Sequence, residues 1–259
     1  MTLKEKMKNG PVFGVVCYTG AVCAVEAIGY SGFDFVYLDL EHCPIDNVSN
    51  IEKLILAAKT SGVSPLVRVS CVDEVEIRKV LEMGAEGVIV PHCRTKADIE
   101  AIIHSAKFPP IGRRGGESCV RAAQFGVNDF SWDEYTKKSN EDTLVIPMDE
   151  DFEFSDNIEE IFSVDGIDAI NFGPIDYSLS IGAKVGYKND DNRLKEAYNK
   201  LATETKKRNI GILAPVVPSS PADLKQAIDK GINMLILGND MLYFNKALAQ
   251  LKENIKEIK

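Results

Sequence analysis

Short apolar runs alternate with longer amphipathic stretches along almost the whole chain. The runs are rich in Val, Ile and Phe and show little in/out alternation, which is typical of parallel strands covered on both faces. Eight runs of this kind predict strands over residues 12–18, 33–40, 65–70, 87–91, 144–148, 169–173, 212–217 and 232–238.

The segments between these runs carry helical periodicity and end signals. Apolar residues recur at helical spacing over residues 51–58, and Gly62 follows as a stop. Asp73 with Glu76 three residues later has the spacing of a capping box, in which each side chain bonds the backbone of the other residue. Ser220, followed by proline, predicts the start of a further helix.

Strand and helix alternating eight times predicts a (β/α)8 TIM barrel formed by a single domain, residues 1–259. A doubly wound open sheet is the competing α/β fold. No G-x-G-x-x-G follows the first strand, so we expect no NAD site. One long interruption, residues 108–143, predicts a functional loop or a contact between subunits.

Composition adds limits on partners and location. The 259 residues are 45% hydrophobic, and 30 basic against 39 acidic residues give a net charge of −9, which disfavours nucleic acid. The apolar runs are too short to cross a membrane, and no signal-like stretch follows the first residues, so we expect a cytoplasmic protein. Its six cysteines form no C-x-x-C pair, and we interpret them as reduced structural thiols.

Candidate chemistry gathers where the predicted strands end, which is where barrels of this kind build their active sites. Polar and charged residues occupy or follow the carboxyl ends of five strands: Asp39, Glu41 and His42 after the second, Arg68 in the third, His92 after the fourth, Asp149 and Glu150 after the fifth, and Asp176 after the sixth.

Glu150 and Asp176 follow neighbouring strands and predict an oxygen-ligand pair for Mg2+ or Mn2+. Two solvated loop acids are the alternative interpretation. The turn that begins at Gly173 favours the site, because glycine lets backbone N–H groups approach a carboxylate closely.

Two of the three histidines lie at strand ends. His42 follows two acids that could orient its ring, so it is the first candidate for acid–base catalysis, and His92 is the second. His104 lies inside a helical stretch and is interpreted as an ordinary histidine. No lysine occupies a strand end of this rim, so we expect no Schiff-base chemistry.

Residues 33–44 resemble the D-x-E-H-x-P segment of the HpcH/HpaI aldolase and citrate lyase family. Further blocks follow in the order and spacing of that family: Pro65-Leu66-Val67-Arg68, Leu81-Glu82-Met83-Gly84-Ala85, Val90-Pro91, Phe108-Pro109-Pro110, Arg114-Gly115, Gly173-Pro174-Ile175-Asp176-Tyr177-Ser178 and Gly238-Asn239-Asp240. The resemblance covers the chain nearly end to end and implies a barrel of the phosphoenolpyruvate/pyruvate-domain type.

The resemblance implies a metal-dependent class II aldolase acting on small 2-keto acids. In that scheme Glu150 and Asp176 hold the metal, and Arg68 steadies the keto oxygen as it becomes an enolate. His42, oriented by Asp39, serves as acid and base.

The resemblance also implies that the backbone at Gly173 and Ile175 holds the substrate carboxylate. It further implies a trimer or hexamer whose last helix packs on a neighbour, and Glu82 as a contributor to the adjacent subunit's site.

Three positions depart from the family pattern. Met148 stands where the family often has glutamine, Ile175 replaces the usual alanine, and Leu40 stands where glycine is common. These changes reshape the pocket around Met148 and Ile175 and put the usual sugar-acid and aromatic-degradation substrates in doubt.

Two alternatives stay open. The same family contains a citrate synthase of siderophore production, which condenses oxaloacetate with acetyl-CoA. That chemistry needs extra cations, and the long segment offers Arg113, Arg114 and Arg121, with Arg121 as a candidate substrate contact. The second alternative is a catalytically silent barrel that binds a dicarboxylate.

Overall fold

Eight parallel strands close into a barrel in the order β1 to β8, with β8 hydrogen-bonded back to β1. The computed structural model describes residues 1–43, 48–186, 190–256 and 258. Pro44, the last residue of the D-x-E-H-x-P segment, lies outside them. The strands are β1 Val12–Cys17, β2 Phe35–Asp39, β3 Ser64–Arg68, β4 Gly87–Val90, β5 Leu144–Asp149, β6 Ala169–Phe172, β7 Gly211–Pro215 and β8 Met234–Asn239.

Helices connect the strands and cover the outside of the barrel. They are α1 Leu3–Asn9, α2 Val22–Tyr30, α3 Val48–Ser61, α4 Glu74–Glu82, α5 Lys96–Ala106, α6 Trp132–Asp142, α7 Phe152–Asp156, α8 Ile158–Ile161, α9 Pro174–Ser180, α10 Asn192–Arg208, α11 Pro221–Asp229 and α12 Asp240–Lys256, with a 3-10 helix at Arg121–Gly126. The predicted (β/α)8 barrel is confirmed.

Alternation along each strand divides the apolar residues into two cores. One core lies between the strands and the helices and includes Val36, Val67 and Val145. The other fills the barrel interior and includes Phe35, Leu66 and Ile146. The near-continuous apolar runs of the sequence therefore arise because both faces of each strand are buried.

Local capping chemistry sets where the connecting helices begin. The Ser220 hydroxyl and the Asp223 carboxylate form a reciprocal capping box at α11. At α4 only half of the predicted box forms. The Asp73 carboxylate accepts from the Glu76 N–H, but the Glu76 carboxylate accepts instead from the backbone N–H and hydroxyl of Ser70. Glu76 thus ties the helix to the end of β3.

The amino-terminal end of the barrel is closed by α1. Leu3 is fully buried and packs into the interior core, with Met7 beside it. Lys4 pairs with Asp168 at 2.6 Å, and Lys6 pairs with Asp34 at 3.0 Å. These ion pairs hold α1, which plugs this end of the barrel, against the residues where the strands begin. The open end of the barrel is therefore the carboxyl end.

No helix among the described residues has the length and the apolar character needed to cross a membrane.

Candidate active site

An arginine held by two acids lies at the carboxyl end of β3. Arg68 donates from Nε to Asp39 Oδ1 at 2.7 Å and from Nη2 to Asp39 Oδ2 at 2.6 Å, a two-pronged pair buried from solvent. Arg68 Nη1 also lies 2.7 Å from Glu41 Oε2. Asp39 and Arg68 are register partners on β2 and β3, so the sheet itself brings them together.

The sequence led us to expect that Asp39 orients His42. The structure contradicts this, because both Asp39 oxygens bind the Arg68 guanidinium. One of them also accepts from the Glu41 N–H at 3.0 Å. His42 lies beside Glu41 instead, with Nε2 at 3.6 Å from Oε2, and just over half of its side chain is exposed. Within the part of the chain that the structure describes, Glu41 is thus the acid beside this histidine.

His92 lies among three carboxylates at the end of β4. Its Nε2 is 3.2 Å from Glu41 Oε1, its Nδ1 is 3.1 Å from Asp151 Oδ2, and its backbone N–H donates to Glu150 Oε1 at 2.7 Å. Its backbone is left-handed, with φ of 53°, a conformation uncommon outside glycine. Partial burial lowers the pKa of His92, but the bond to Asp151 and the charges of Glu150 and Glu41 outweigh it and raise that pKa.

Glu150 follows β5 and is almost fully buried. Burial raises its pKa from 4.5 to about 7, the His92 backbone bond opposes that rise, and the Glu41 and Asp176 carboxylates add to it. Gly173 leaves the room that Glu150 needs, because a Cβ there would lie 2.8 Å from Glu150 Cβ. Glycine at position 173 therefore leaves space for the Glu150 carboxylate, and a nearby cation would stabilise the charged form of that carboxylate.

The residues present fit a divalent cation. One ligand atom each from Glu41, His92 and Glu150 lies within 4.8 Å of the other two. Glu41 Oε2 is buried and has no aligned hydrogen-bond partner, although the Arg68 guanidinium is close. The carboxylate oxygens of this set are ligands that suit Mg2+ or Mn2+.

The pocket beside this cluster opens at the carboxyl ends of the strands. It contains the predicted residues Arg68, Met148, Gly173, Ile175 and Asp176. Its remaining lining residues are Val16, Tyr18, Tyr37, Asn171, Phe172, Pro174, Pro215, Val217, Ile236, Gly238 and Asn239.

The Gly173 N–H does not face a ligand. It donates to the Asp149 carbonyl at 3.0 Å, so the expectation that this group holds a substrate carboxylate is wrong. Ile175 and Asp176 belong to the first turn of α9, whose N–H groups have no acceptor within the helix. The backbone at Ile175 is therefore the part of this turn that can bind a carboxylate.

The arginines of the long segment do not reach the pocket within one chain. Arg121 donates to Glu52 of α3 at 2.9 Å and lies over the Phe125 ring, which corrects its predicted place beside the substrate. Arg114 is buried, with its guanidinium over the Phe108 ring. The negative charge of Glu82 acts on Arg114, which places Glu82 with the long segment and not in this chain's own pocket.

A model of the HpcH/HpaI aldolase/citrate lyase family matches residues 21–247. The chain belongs to this family. It is 29% identical over 236 residues to the 5-keto-4-deoxy-D-glucarate aldolase of Escherichia coli O139:H28, a match that covers 90% of this chain and 88% of that protein. The resemblance noted from the sequence blocks is thereby confirmed, as is the interpretation of the chain as an aldolase-type enzyme.

Two solved structures share the whole barrel with this chain. The aldolase of Desulfitobacterium hafniense DCB-2 superposes with a TM-score of 0.88 at 26% identity, covering 99% of this chain and 97% of that one. The citrate synthase SbnG superposes with a TM-score of 0.86 at 28% identity, covering 99% and 98%. Both an aldolase and a citrate synthase are thus similar to this chain over its full length.

Reasoning from the sequence undervalued three residues of this HpcH/HpaI site. Glu41 stood out only as the neighbour of His42, and His92 ranked second, yet both lie in the carboxylate cluster. Asn171 drew no attention, because an asparagine inside an apolar strand carries no spacing signal. Its polarity in a buried run was the one available clue.

Asp149 lies next to Glu150 but outside the pocket lining, and neither of its carboxylate oxygens has a hydrogen-bond partner among the described residues. Complete burial raises the pKa of Asp149 well above the ordinary value of an aspartate, and the charges of Glu150 and Asp151 add to that rise.

Proposed function

We propose that the chain catalyses reversible, metal-dependent cleavage of the carbon–carbon bond that joins a small 2-keto acid to an aldehyde. The observation that carries the proposal is the buried Arg68, held by Asp39 at the pocket mouth beside the Glu41, His92 and Glu150 cluster. A fixed guanidinium next to a cation site is suited to a substrate oxygen that gains negative charge during the reaction.

Glu150 and Asp176 would hold a divalent ion, Mg2+ or Mn2+, and Glu41 and His92 would be further candidate ligands. Glu150 and Asp176 are close enough for the charge of Asp176 to raise the pKa of Glu150. The ion, when bound, would polarise the keto carbonyl.

Arg68 stabilises the enolate oxygen, and Asp39 positions Arg68. Because Asp39 binds the guanidinium at two points and Glu41 lies against Nη1, Arg68 lines the pocket in a fixed position and need not reorganise during the reaction. The backbone at Ile175 binds the substrate carboxylate.

His42 exchanges the proton of the aldol alcohol. In the cleavage direction it accepts the hydroxyl proton, the carbon–carbon bond breaks, the aldehyde forms, and the bonding electrons pass to the keto oxygen beside Arg68. A proton from solvent then adds to the enolate carbon, which releases the keto acid. The His42 side chain is exposed to solvent and has the Glu41 carboxylate beside it. Both features suit a residue that returns its proton to water.

A citrate-forming reaction is the second candidate, favoured by the similarity to SbnG. It needs cations for the additional carboxylates, yet Arg114 and Arg121 are engaged by Phe108 and Glu52 outside the pocket. We therefore place aldol cleavage first.

The deciding experiment measures two products in parallel. Purified protein with Mg2+ or Mn2+ is incubated with 4-hydroxy-2-keto acids and assayed for pyruvate, and separately with oxaloacetate and acetyl-CoA and assayed for free thiol. Pyruvate release that EDTA abolishes and that survives borohydride treatment in the presence of pyruvate supports the proposal. Thiol release without pyruvate contradicts it, and loss of activity after borohydride indicates an imine-forming lysine.

We also propose that α12 packs on a neighbouring subunit of a trimer or hexamer. None of its residues is buried, and Phe244, Leu248, Leu251 and Ile255 expose apolar surface at spacings of four, three and four. A Leu251→Glu variant should sediment as a smaller species than the wild type, whereas an Asn254→Glu control on the same helix should not. In the assembly Glu82 would lie near the adjacent subunit's pocket.

The described cysteines are unpaired thiols, consistent with the cytoplasmic location that we propose.

A further inference from the structure

Asn171 is a polar residue in the floor of the pocket, which also contains Met148 and the hydroxyl of Tyr37, 4.0 Å from the Met148 sulfur. It lies on β6 two residues after Ala169, which belongs to the interior core, so its side chain also faces the barrel interior. Its register partner on β5 is Met148, another lining residue. Only 3% of Asn171 is exposed.

Two carbonyl groups fix the orientation of the Asn171 amide. Its Nδ2 donates to the Phe172 carbonyl at 3.3 Å and to the Leu213 carbonyl at 3.4 Å. The reverse orientation would put Oδ1 against two acceptors, so the hydrogen-bond network assigns nitrogen to this side. The opposite side of the amide must therefore present its oxygen.

That oxygen, Asn171 Oδ1, has no hydrogen-bond partner among the residues that the structure describes. A buried acceptor without a donor is costly. Its register partner Met148 has no side-chain hydrogen to donate, and the Tyr37 hydroxyl lies against the Met148 sulfur. A donor carried in by the substrate would satisfy it.

We propose that Asn171 is a specificity-determining residue that accepts a hydrogen bond from a hydroxyl group of the bound keto acid. This inference rests on the proposed function, because Arg68 and Ile175 must hold the keto acid in the same pocket. A hydroxylated 2-keto acid satisfies Oδ1, whereas its methyl counterpart leaves the oxygen buried and unpaired. The pocket therefore prefers the hydroxylated compound.

The test compares 3-hydroxypyruvate with pyruvate by calorimetric titration of the Mg2+-loaded protein, which needs no turnover. For the wild type we expect hydroxypyruvate to bind about three- to tenfold more tightly than pyruvate, the range expected for one hydrogen bond. Asn171→Leu should bring the ratio of the two Kd values close to one. Asn171→Thr keeps an acceptor oxygen and should give an intermediate ratio.

Ile170→Val is the matched control, since it changes the preceding residue of β6, which belongs to the core between strands and helices and does not line the pocket, and its Kd ratio should equal that of the wild type. If Asn171→Leu does not fold, Asn171→Val removes the same oxygen with a smaller side chain that suits a strand.

Any of four outcomes overturns the inference. A wild-type ratio of one, or a ratio unchanged in Asn171→Leu, shows that Oδ1 does not contact the substrate hydroxyl. If Asn171→Leu binds both keto acids more weakly by the same factor, the partner of Oδ1 is an ordered water in the pocket and not the substrate hydroxyl. Failure of the wild type to bind either keto acid overturns the proposed function as well, so the two failures are distinguishable.

Discussion

Both ends of the barrel bury charge, but they satisfy it differently. At the amino-terminal end Lys107 is 2% exposed and donates to the Asn140 and Thr143 carbonyls at 2.9 and 2.6 Å, with Asp168 at 3.8 Å. At the carboxyl end the Asp39–Arg68 pair is also bonded, but the buried oxygens Glu41 Oε2 and Asn171 Oδ1 have no aligned partner among the described residues. Groups bonded within the chain stabilise the fold, whereas a buried oxygen without an aligned partner can bind a ligand.

Glu150→Gln should have the largest effect on the open end. We expect kcat to fall by more than about 100-fold, because even residues outside a metal's ligand set cost 10- to 100-fold. The metal-free variant should unfold at no lower temperature than the wild type, since burial already disfavours the Glu150 charge. Initial rates and thermal melts measure both, with the exposed Glu159→Gln as control. Normal kcat in Glu150→Gln would refute the ligand assignment.

Arg68→Lys should lower kcat by about 100-fold, the cost of losing one fixed donor to a developing oxyanion. The ammonium still neutralises buried Asp39 but cannot reproduce the two-pronged contact. Steady-state kinetics with Arg193→Lys, an exposed arginine, as control checks this. An effect on KM alone would show that Arg68 binds the substrate without stabilising the transition state.

Lys107→Met should affect the closed end without touching catalysis. Loss of donors to two buried carbonyls should lower the free energy of unfolding by about 2 kcal/mol. Urea unfolding measures this loss, and kcat per folded molecule should be unchanged because the pocket lies at the other end of the barrel. Lys138→Met, on the exposed side of α6, is the control. A large fall in kcat would break the distinction between the two ends.

The smallest expected effect is on how the free energy of unfolding changes with pH. Burial lowers the pKa of Lys107 from 10.5 to about 8. Between these values the unfolded chain binds a proton that the folded chain does not, so this group makes the wild type more stable as pH rises. The stability difference between wild type and Lys107→Met should grow by about 1 kcal/mol per pH unit from pH 8 to 10. A flat difference would show that Lys107 titrates normally.

The barrel was predictable from the sequence because its rules are local. Buried parallel strands read as apolar runs, and the predicted run 87–91 exceeds β4, Gly87–Val90, by one residue. Strand-end position likewise placed Arg68, Glu150 and Asp176 on one rim.

The pairings within the rim were not predictable. Asp39 meets Arg68 because of the β2–β3 register, which is a property of the closed sheet and not of the spacing between the two residues. His92 reaches the carboxylates through a left-handed backbone conformation that its sequence context does not signal. Arg121 lies at the start of a 3-10 helix in a long connection, where its partner depends on how that segment folds over α3.

Closure of the amino-terminal end of the barrel by Leu3 affects how the products of the proposed reaction leave. With the amino-terminal end filled, both fragments of a cleaved keto acid exchange with solvent through the opening at the carboxyl ends of the strands. In the proposed reaction the aldehyde would form beside the exposed His42 while the keto acid is held at Arg68, so we expect the aldehyde to leave first. The closed amino-terminal end gives both products the same route to solvent.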